Sequence, residues 1–176
     1  MLIVMAGLPA SGKSALAETL ARALRCAVLS VDPIEAALWR AGIARTEPTG
    51  LAAYVVAEDL AREQLLLGHD VIIDAVNDAA EAREQWRSLA STAEVPIAFL
   101  EVHCSDPVVH EQRLRSRRRE IPGFSEPTWR EVRDREPALR SWTGRRLRLD
   151  SVRPIPDLLG AALTYLDDVR TTAPPA

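Results

Sequence analysis

A three-layer α/β domain, with a parallel sheet covered by helices on both faces, is the fold this sequence predicts. Three observations predict it. Short apolar runs alternate with stretches of helical periodicity along the chain. Helical segments between strands make right-handed crossovers, which leave the strands parallel. The 176 residues suit a single hydrophobic core, with one domain over residues 1–170 and a frayed tail over 171–176.

Taken in order, Leu2–Ala6 is a strand stopped by Gly7, and Lys13–Arg25 carries Leu16, Leu20 and Leu24 at the i, i+4 spacing of a helix. The second strand, Ala27–Val31, runs into Asp32 and Pro33. Two helices follow, over residues 34–41 and 52–67, the latter closed by Gly68. The third strand is Val71–Asp74, after which Asn77 or Asp78 caps a helix with Ala82, Trp86 and Leu89 on one face. Pro96 precedes the fourth strand, Ile97–Cys104. Asp106 and Pro107 read as the N-cap and first residue of a helix that enters an arginine-dense stretch, with a lid over residues 111–127. Thr128 and Glu131 fit a capping box, Arg146–Leu149 is the fifth strand, and the last helix spans Ile155–Val169.

Apolar residues make up 47% and charged residues 27% of the chain, which excludes fibrous, low-complexity and disordered classes. No apolar run approaches the roughly 20 residues of a membrane span. The first strand has no basic lead or cleavage site, so the expected location is the cytoplasm. Cys26 and Cys104 lack metal-ligand spacing and read as small core residues. A net charge of −3 gives no whole-domain basic footprint for nucleic acid. Among 22 basic residues, Lys13 is the single lysine.

That lysine lies in Gly7-Leu8-Pro9-Ala10-Ser11-Gly12-Lys13-Ser14, which matches G-x-x-x-x-G-K-[ST] between a predicted strand and a predicted helix. In such a loop successive backbone N–H groups point at phosphate oxygens and the helix adds its positive end. Gly7, Pro9, Ala10, Ser11, Gly12, Lys13, Ser14 and Ala15 are therefore the expected nucleotide contacts, with Lys13 on the terminal phosphates. Ser14 and Asp74, the latter at the end of an apolar strand, are the expected magnesium ligands. Asp32 ends strand two, where open parallel sheets bind ligands, so it reads either as the base that takes a substrate hydroxyl proton or as a helix cap.

Arg113, Arg115, Arg117, Arg118 and Arg119 crowd the lid with Pro122 and Gly123. Arg113 and Arg117 share a helix face at i, i+4 and are chosen as the pair that neutralises charge on the transferring phosphoryl group. The alternative is a solvated face or a nucleic-acid patch. Trp39 and Tyr54 wall the acceptor pocket, by stacking on a substrate or by packing. Asn77 either bonds the acceptor or starts a helix. His69, His103 and His110 show no ligand spacing and receive no role.

The phosphate loop, Ser30-Val31-Asp32, the Asp74-Ala75-Val76-Asn77 corner with Arg83 and Trp86, and the Cys104–Pro107 to Arg113…Arg117 helix together resemble a known group. It is the small P-loop kinases labelled AAA-family ATPases, related to chloramphenicol phosphotransferase, zeta toxins and the kinase domain of polynucleotide kinase. The resemblance covers residues 1–168. It implies a five-stranded parallel sheet in order 2-3-1-4-5, Asp32 as base, Arg113 and Arg117 on the phosphates, and Asp150–Arg153 bordering the adenine, so that Arg153 joins the nucleotide contacts. The chain departs from polynucleotide kinases in having Pro33, Ile34 and Glu35, with no arginine until Arg40, after Asp32. Glu35 either lies in the pocket, where it favours a neutral or cationic acceptor, or is a surface helix residue.

The expectation is an ATP- and magnesium-dependent kinase acting on a hydroxyl of a small molecule, such as an antibiotic, nucleoside or sugar. The rivals are a 5′-hydroxyl polynucleotide kinase, which would use the arginine stretch to grip a strand, and a noncatalytic ATP-binding switch.

Overall fold

A computed structural model describes residues 1–117, 121 and 126–172. Five strands form one sheet, all pairings parallel, in the order β2-β3-β1-β4-β5. The elements follow the chain as β1 (Leu2–Ala6), α1 (Lys13–Leu24), β2 (Ala27–Ser30), α2 (Val31–Arg40), α3 (Thr49–Leu66), β3 (Val71–Asp74) and α4 (Ala80–Thr92). Then come β4 (Ile97–His103), α5 (Pro107–Ser116), α6 (Trp129–Asp134), α7 (Glu136–Arg140), β5 (Leu147–Asp150) and α8 (Ile155–Thr172).

Alternation along each strand divides the core in two, because successive side chains point to opposite faces. Ile3, Met5, Ile72, Leu100 and Val102 pack under Leu16 and Leu20 of α1 and Leu158, Ala162 and Leu166 of α8. Leu2, Val4, Ile73 and Phe99 pack on the other face with Ala53, Ala57 and Ala61 of α3 and with Trp86 and Trp142. The alanine stripe of α3 lets that helix lie close to the sheet. The three central strands β3, β1 and β4 are buried on both faces, which is why they read as unbroken apolar runs rather than alternating ones.

Several boundaries differ from the sequence reading, and two differences matter for function. Asp32 is not the end of β2; it lies in the first turn of α2, whose N-cap is Ser30. The helix therefore starts before Pro33, a residue whose fixed φ suits a first turn. Asn77 does not cap α4. It sits at φ 51, in the left-handed region, and α4 starts from Ala79. The Asp106 and Pro107 start of α5 holds, with Asp106 accepting from the N–H groups of Val108 and Val109. The Thr128–Glu131 capping box holds as well. Helix α8 runs on to Thr172, so Thr171 and Thr172 are not a frayed tail; 173–176 lie outside the described residues. Cys26 and Cys104 are half-buried rather than core residues.

Asn77 is the corner post of the β3–α4 connection. It is 0% exposed, donates Nδ2–H to the carbonyl of Met5 at 2.7 Å, and accepts the indole N–H of Trp86 at 2.9 Å. Its own carbonyl and that of Asp78 accept from Arg83. Asn77→Ala strands two buried polar groups, each worth about 1–3 kcal/mol when left unpaired. The expected loss of about 2–5 kcal/mol is checked by urea denaturation, with unchanged m-value as the sign that the fold itself persists.

Candidate active site

Parallel register brings the site together. Met5 of β1, Asp74 of β3 and Ser30 of β2 lie side by side at the carboxyl end of the sheet. The loop that follows β1 therefore opens directly over the ends of β3 and β2. Gly7 has φ 145, and a Cβ there would stand 2.2 Å from the carbonyl oxygen of Val102, so only glycine fits. Ala10 adopts φ 63 and Gly12 φ 96, giving the loop its backward curl before α1 begins at Lys13. A Cβ on Gly12 would meet Ser151 at 3.1 Å, so the loop rests against the β5–α8 turn.

Lys13 is buried, with Nζ 3.5 Å from Oδ1 of Asp74. Asp74 is also buried; its Oδ2 accepts from the hydroxyl of Ser30 at 3.3 Å, while Oδ1 has no hydrogen-bond partner among the described residues. A cavity of about 160 Å³ opens here, lined by Ser14, Ser30, Asp32, Asp74, Glu18 and Ile121 among others. A hydroxyl and a carboxylate with an orphaned buried oxygen form a hard oxygen donor set, which fits magnesium. Ser14 and Asp74 are the residues that would hold it.

Asp32 lines the same cavity from the α2 side, and Tyr54 stands near it. Burial pushes the Tyr54 phenol up to about 12, with an Asn77 backbone hydrogen bond opposing that rise and the charges of Asp78 and Asp32 adding to it. Arg135, between α6 and α7, opposes it from across the gap. Arg135 was not singled out by the sequence, since it sits among many arginines with no motif of its own. Glu35 and Trp39 do not face an open acceptor space: Trp39 donates Nε1–H to Thr49 Oγ1, which donates to Glu35 Oε1, each at 2.9 Å. That chain ties α2 to the start of α3.

The arginines divide. Arg113 donates Nη1–H to the hydroxyl and Nη2–H to the carbonyl of Ser151, at 2.8 and 3.0 Å. It is thus seated at the β5–α8 turn beside Gly12 and does not line the Asp32–Asp74 cavity. Arg117 is past the end of α5 in extended backbone, so the shared helix face with Arg113 is lost; it pairs with Glu126 at 3.2 Å. Arg153 is exposed and pairs with Asp157. The lid residues Arg118, Arg119, Pro122 and Gly123 lie outside the described residues. Asn77 is withdrawn from the acceptor side, because its whole side chain is buried in the corner described above.

A model of the AAA_33 family, described as an AAA domain, matches residues 2–136. The chain belongs to that family. No curated protein is similar enough in sequence to match it. Among solved structures, Chaetomium thermophilum Kti12 in complex with ADP-AlF3 is similar with TM-score 0.73 at 20% identity, covering 97% of this chain and 99% of that one. A Sinorhizobium meliloti gluconokinase has TM-score 0.69 at 19% identity over 96% and 93% of the two chains. Mycobacterium tuberculosis APS kinase CysC in complex with AMPPNP and APS has TM-score 0.69 at 18% identity over 94% and 96%. These likenesses show the fold alone, a five-stranded parallel sheet with its phosphate loop after the first strand.

The residue that supports the loop from beneath is His110, which belongs to no motif. It is buried on α5, and its Nε2 lies 2.8 Å from the carbonyl oxygen of Pro9. A carbonyl only accepts, so Nε2 carries the proton and donates. Burial holds the His110 pKa below its ordinary 6.5, partly offset by that same bond, so the ring is neutral at neutral pH. A depressed pKa means that its stabilisation is present above 6.5 and is lost as pH falls through the folded-state value. His110→Gln keeps a donor and does not titrate. The Tm gap between wild type and variant is expected to move against the wild type from about pH 7 to about pH 5; a gap independent of pH would remove His110 from this role.

Proposed function

We propose that the chain is an ATP- and magnesium-dependent phosphotransferase that moves a γ-phosphoryl group to a hydroxyl of a small molecule. The observation that carries this reading is the convergence of Ser14, Asp74 and Asp32 on one cavity at the carboxyl end of the sheet, with Lys13 paired to the Asp74 that lines it. The likeness to solved gluconokinase and APS kinase structures, and the nucleotides bound by two structural relatives, support it. Kinship with chloramphenicol phosphotransferase and zeta toxins remains part of this proposal.

The loop N–H groups from Ala10 to Ser14 hold the phosphates, and Lys13 follows the charge that develops on the terminal phosphoryl oxygens. Magnesium, when bound at Ser14 and Asp74, supplies neutralisation of the phosphate oxygens. Asp32 accepts the hydroxyl proton of the acceptor and aims its oxygen. Arg113 serves the nucleoside side, where it fixes Ser151 next to Gly12. Arg117 and Arg153 are proposed contacts to the phosphates and the adenine border. The acceptor lies by Asp32, Tyr54, Asp78 and Arg135. With no arginine between Asp32 and Arg40, an alcohol of a nucleoside, sugar or antibiotic suits this wall better than a polynucleotide end.

A labelled γ-phosphate transfer screen over such acceptors and 5′-hydroxyl oligonucleotides tests the reading. Asp32→Asn is expected to lower kcat by about 10²- to 10⁴-fold with ATP binding retained. Lys13→Ala is expected to abolish transfer, with a melting control because it leaves the buried Asp74 unpaired. Transfer only to oligonucleotides would name the polynucleotide kinase, and tight ATP binding with no label on any acceptor would name the switch.

A further inference from the structure

On the other side of the phosphate loop from Asp32 lies a cavity of about 660 Å³ that the proposed reaction does not use. It shares no lining residue with the Asp32–Asp74 cavity. Its volume falls within the roughly 300–1,000 Å³ of small-molecule pockets. It is cut into the α7 face of the sheet, between the carboxyl end of β4, the first turn of α5, and the α6–α7 corner.

Its mouth is cationic. Arg133 and Arg140 both pair with Glu136, at 2.7 and 2.5 Å, and Arg146 and Arg148 both pair with Glu101. Four guanidinium groups thus share two carboxylates, and three of the four, Arg133, Arg140 and Arg148, line the cavity. The ring of Trp129 forms one wall, edge-on to His110 at 5.1 Å. Ser11, a residue 1% exposed, lines the cavity, and its hydroxyl has no hydrogen-bond partner among the described residues; His103, half-buried, lines it too, and its shielded Nδ1 is likewise unpartnered. Buried polar atoms without partners are scarce in folded proteins, and two of them in residues lining one cavity mark a place where a ligand completes the bonding.

We propose that this cavity is a second binding site, for an organic anion of about nucleoside-monophosphate size. Its negative group sits among Arg133, Arg140 and Arg148, and its flat body lies against Trp129. A hydroxyl or ring nitrogen of the ligand bonds Ser11 Oγ and His103 Nδ1. The surplus of guanidinium over carboxylate selects an anion, because each arginine offers donors that its shared carboxylate does not use. The cavity floor includes Leu8 and Ser11 of the phosphate loop, and its lining includes His110, which holds Pro9. Occupancy therefore changes the affinity of the loop for nucleotide, a coupling that rests on the proposed ATP site, whereas the binding itself does not.

Calorimetry with AMP and CMP as probes, and adenosine and cytidine as uncharged controls, tests it. The titrations are run on the wild type saturated with ADP and magnesium and on Lys13→Ala without nucleotide. One monophosphate is expected to bind one per chain in both proteins, at least about tenfold tighter than its nucleoside. The Arg133→Gln, Arg140→Gln double variant is expected to weaken it by about tenfold or more, while Asp32→Asn leaves it unchanged. Backbone amides of residues 101–110 and 129–140 should gain hydrogen-exchange protection with the probe, a readout that serves even if the double variant folds poorly. No binding of either monophosphate beside ADP overturns the proposal. So does binding that Asp32→Asn removes and the arginine variant does not, which would place the probe in the acceptor cavity. Failure of ADP to bind, with monophosphate still bound by Lys13→Ala, would instead overturn the ATP reading alone.

Discussion

The turn out of β1 governs this molecule. Gly7 passes so close to the Val102 carbonyl that no side chain can stand there, and that approach presses the phosphate loop down onto β4. Everything on either side takes its place from it. Ser11 is driven beneath the loop, Gly12 comes to rest on Ser151, and Lys13 is turned inward to Asp74. The loop is thus a packed element with a floor, built before any ligand contributes, and its amides are oriented by the protein rather than by the phosphate they would bind.

The buried Lys13–Asp74 pair shows how stability and chemistry pull against each other. Two charges taken from water are favourable only with good geometry and filled hydrogen-bonding capacity, and here Asp74 Oδ1 has, among the described residues, only the lysine at 3.5 Å. A core built for stability alone would place apolar residues here. Below the loop, Arg83 and Arg146 lie over the ring of Trp142 with their charges directed to the Asn77 and Asp78 carbonyls and to Glu101. There the guanidinium groups serve as packing material against an aromatic ring, with Arg83 Nε left without a hydrogen-bond partner among the described residues.

Much of this was legible in the sequence where one residue type has one structural meaning. The apolar runs gave the strands, since a strand buried on both faces admits little else, and the resemblance supplied their order. The phosphate loop and the Asp106 and Thr128 caps are local chemistry and read directly. Asp32, Ser14 and Asp74 each read as site residues from motif and strand end, and they line one cavity. What could not be read depends on contacts between distant segments. Asn77 looks like a helix cap in one dimension, yet its left-handed backbone and two side-chain bonds to Met5 and Trp86 appear only when the corner closes. His110 and Ser151 have no motif, and Arg113 and Arg117 part company because α5 ends at Ser116, a stop that helical spacing alone does not show. Ser30 likewise gains its place only from strand pairing, which puts it opposite Asp74.

The solitary lysine has a consequence for reactivity. The chain has one side-chain amine, and it is sealed at 4% exposure under the loop that it serves. Lysine-modifying reagents and enzymes therefore find no ε-amino group on the surface, and any ε-amine mark on the chain is a mark on its phosphate loop. The speed at which an amine reagent couples to Lys13 would measure how often that loop lifts, which turns a compositional oddity into a built-in clock for local opening.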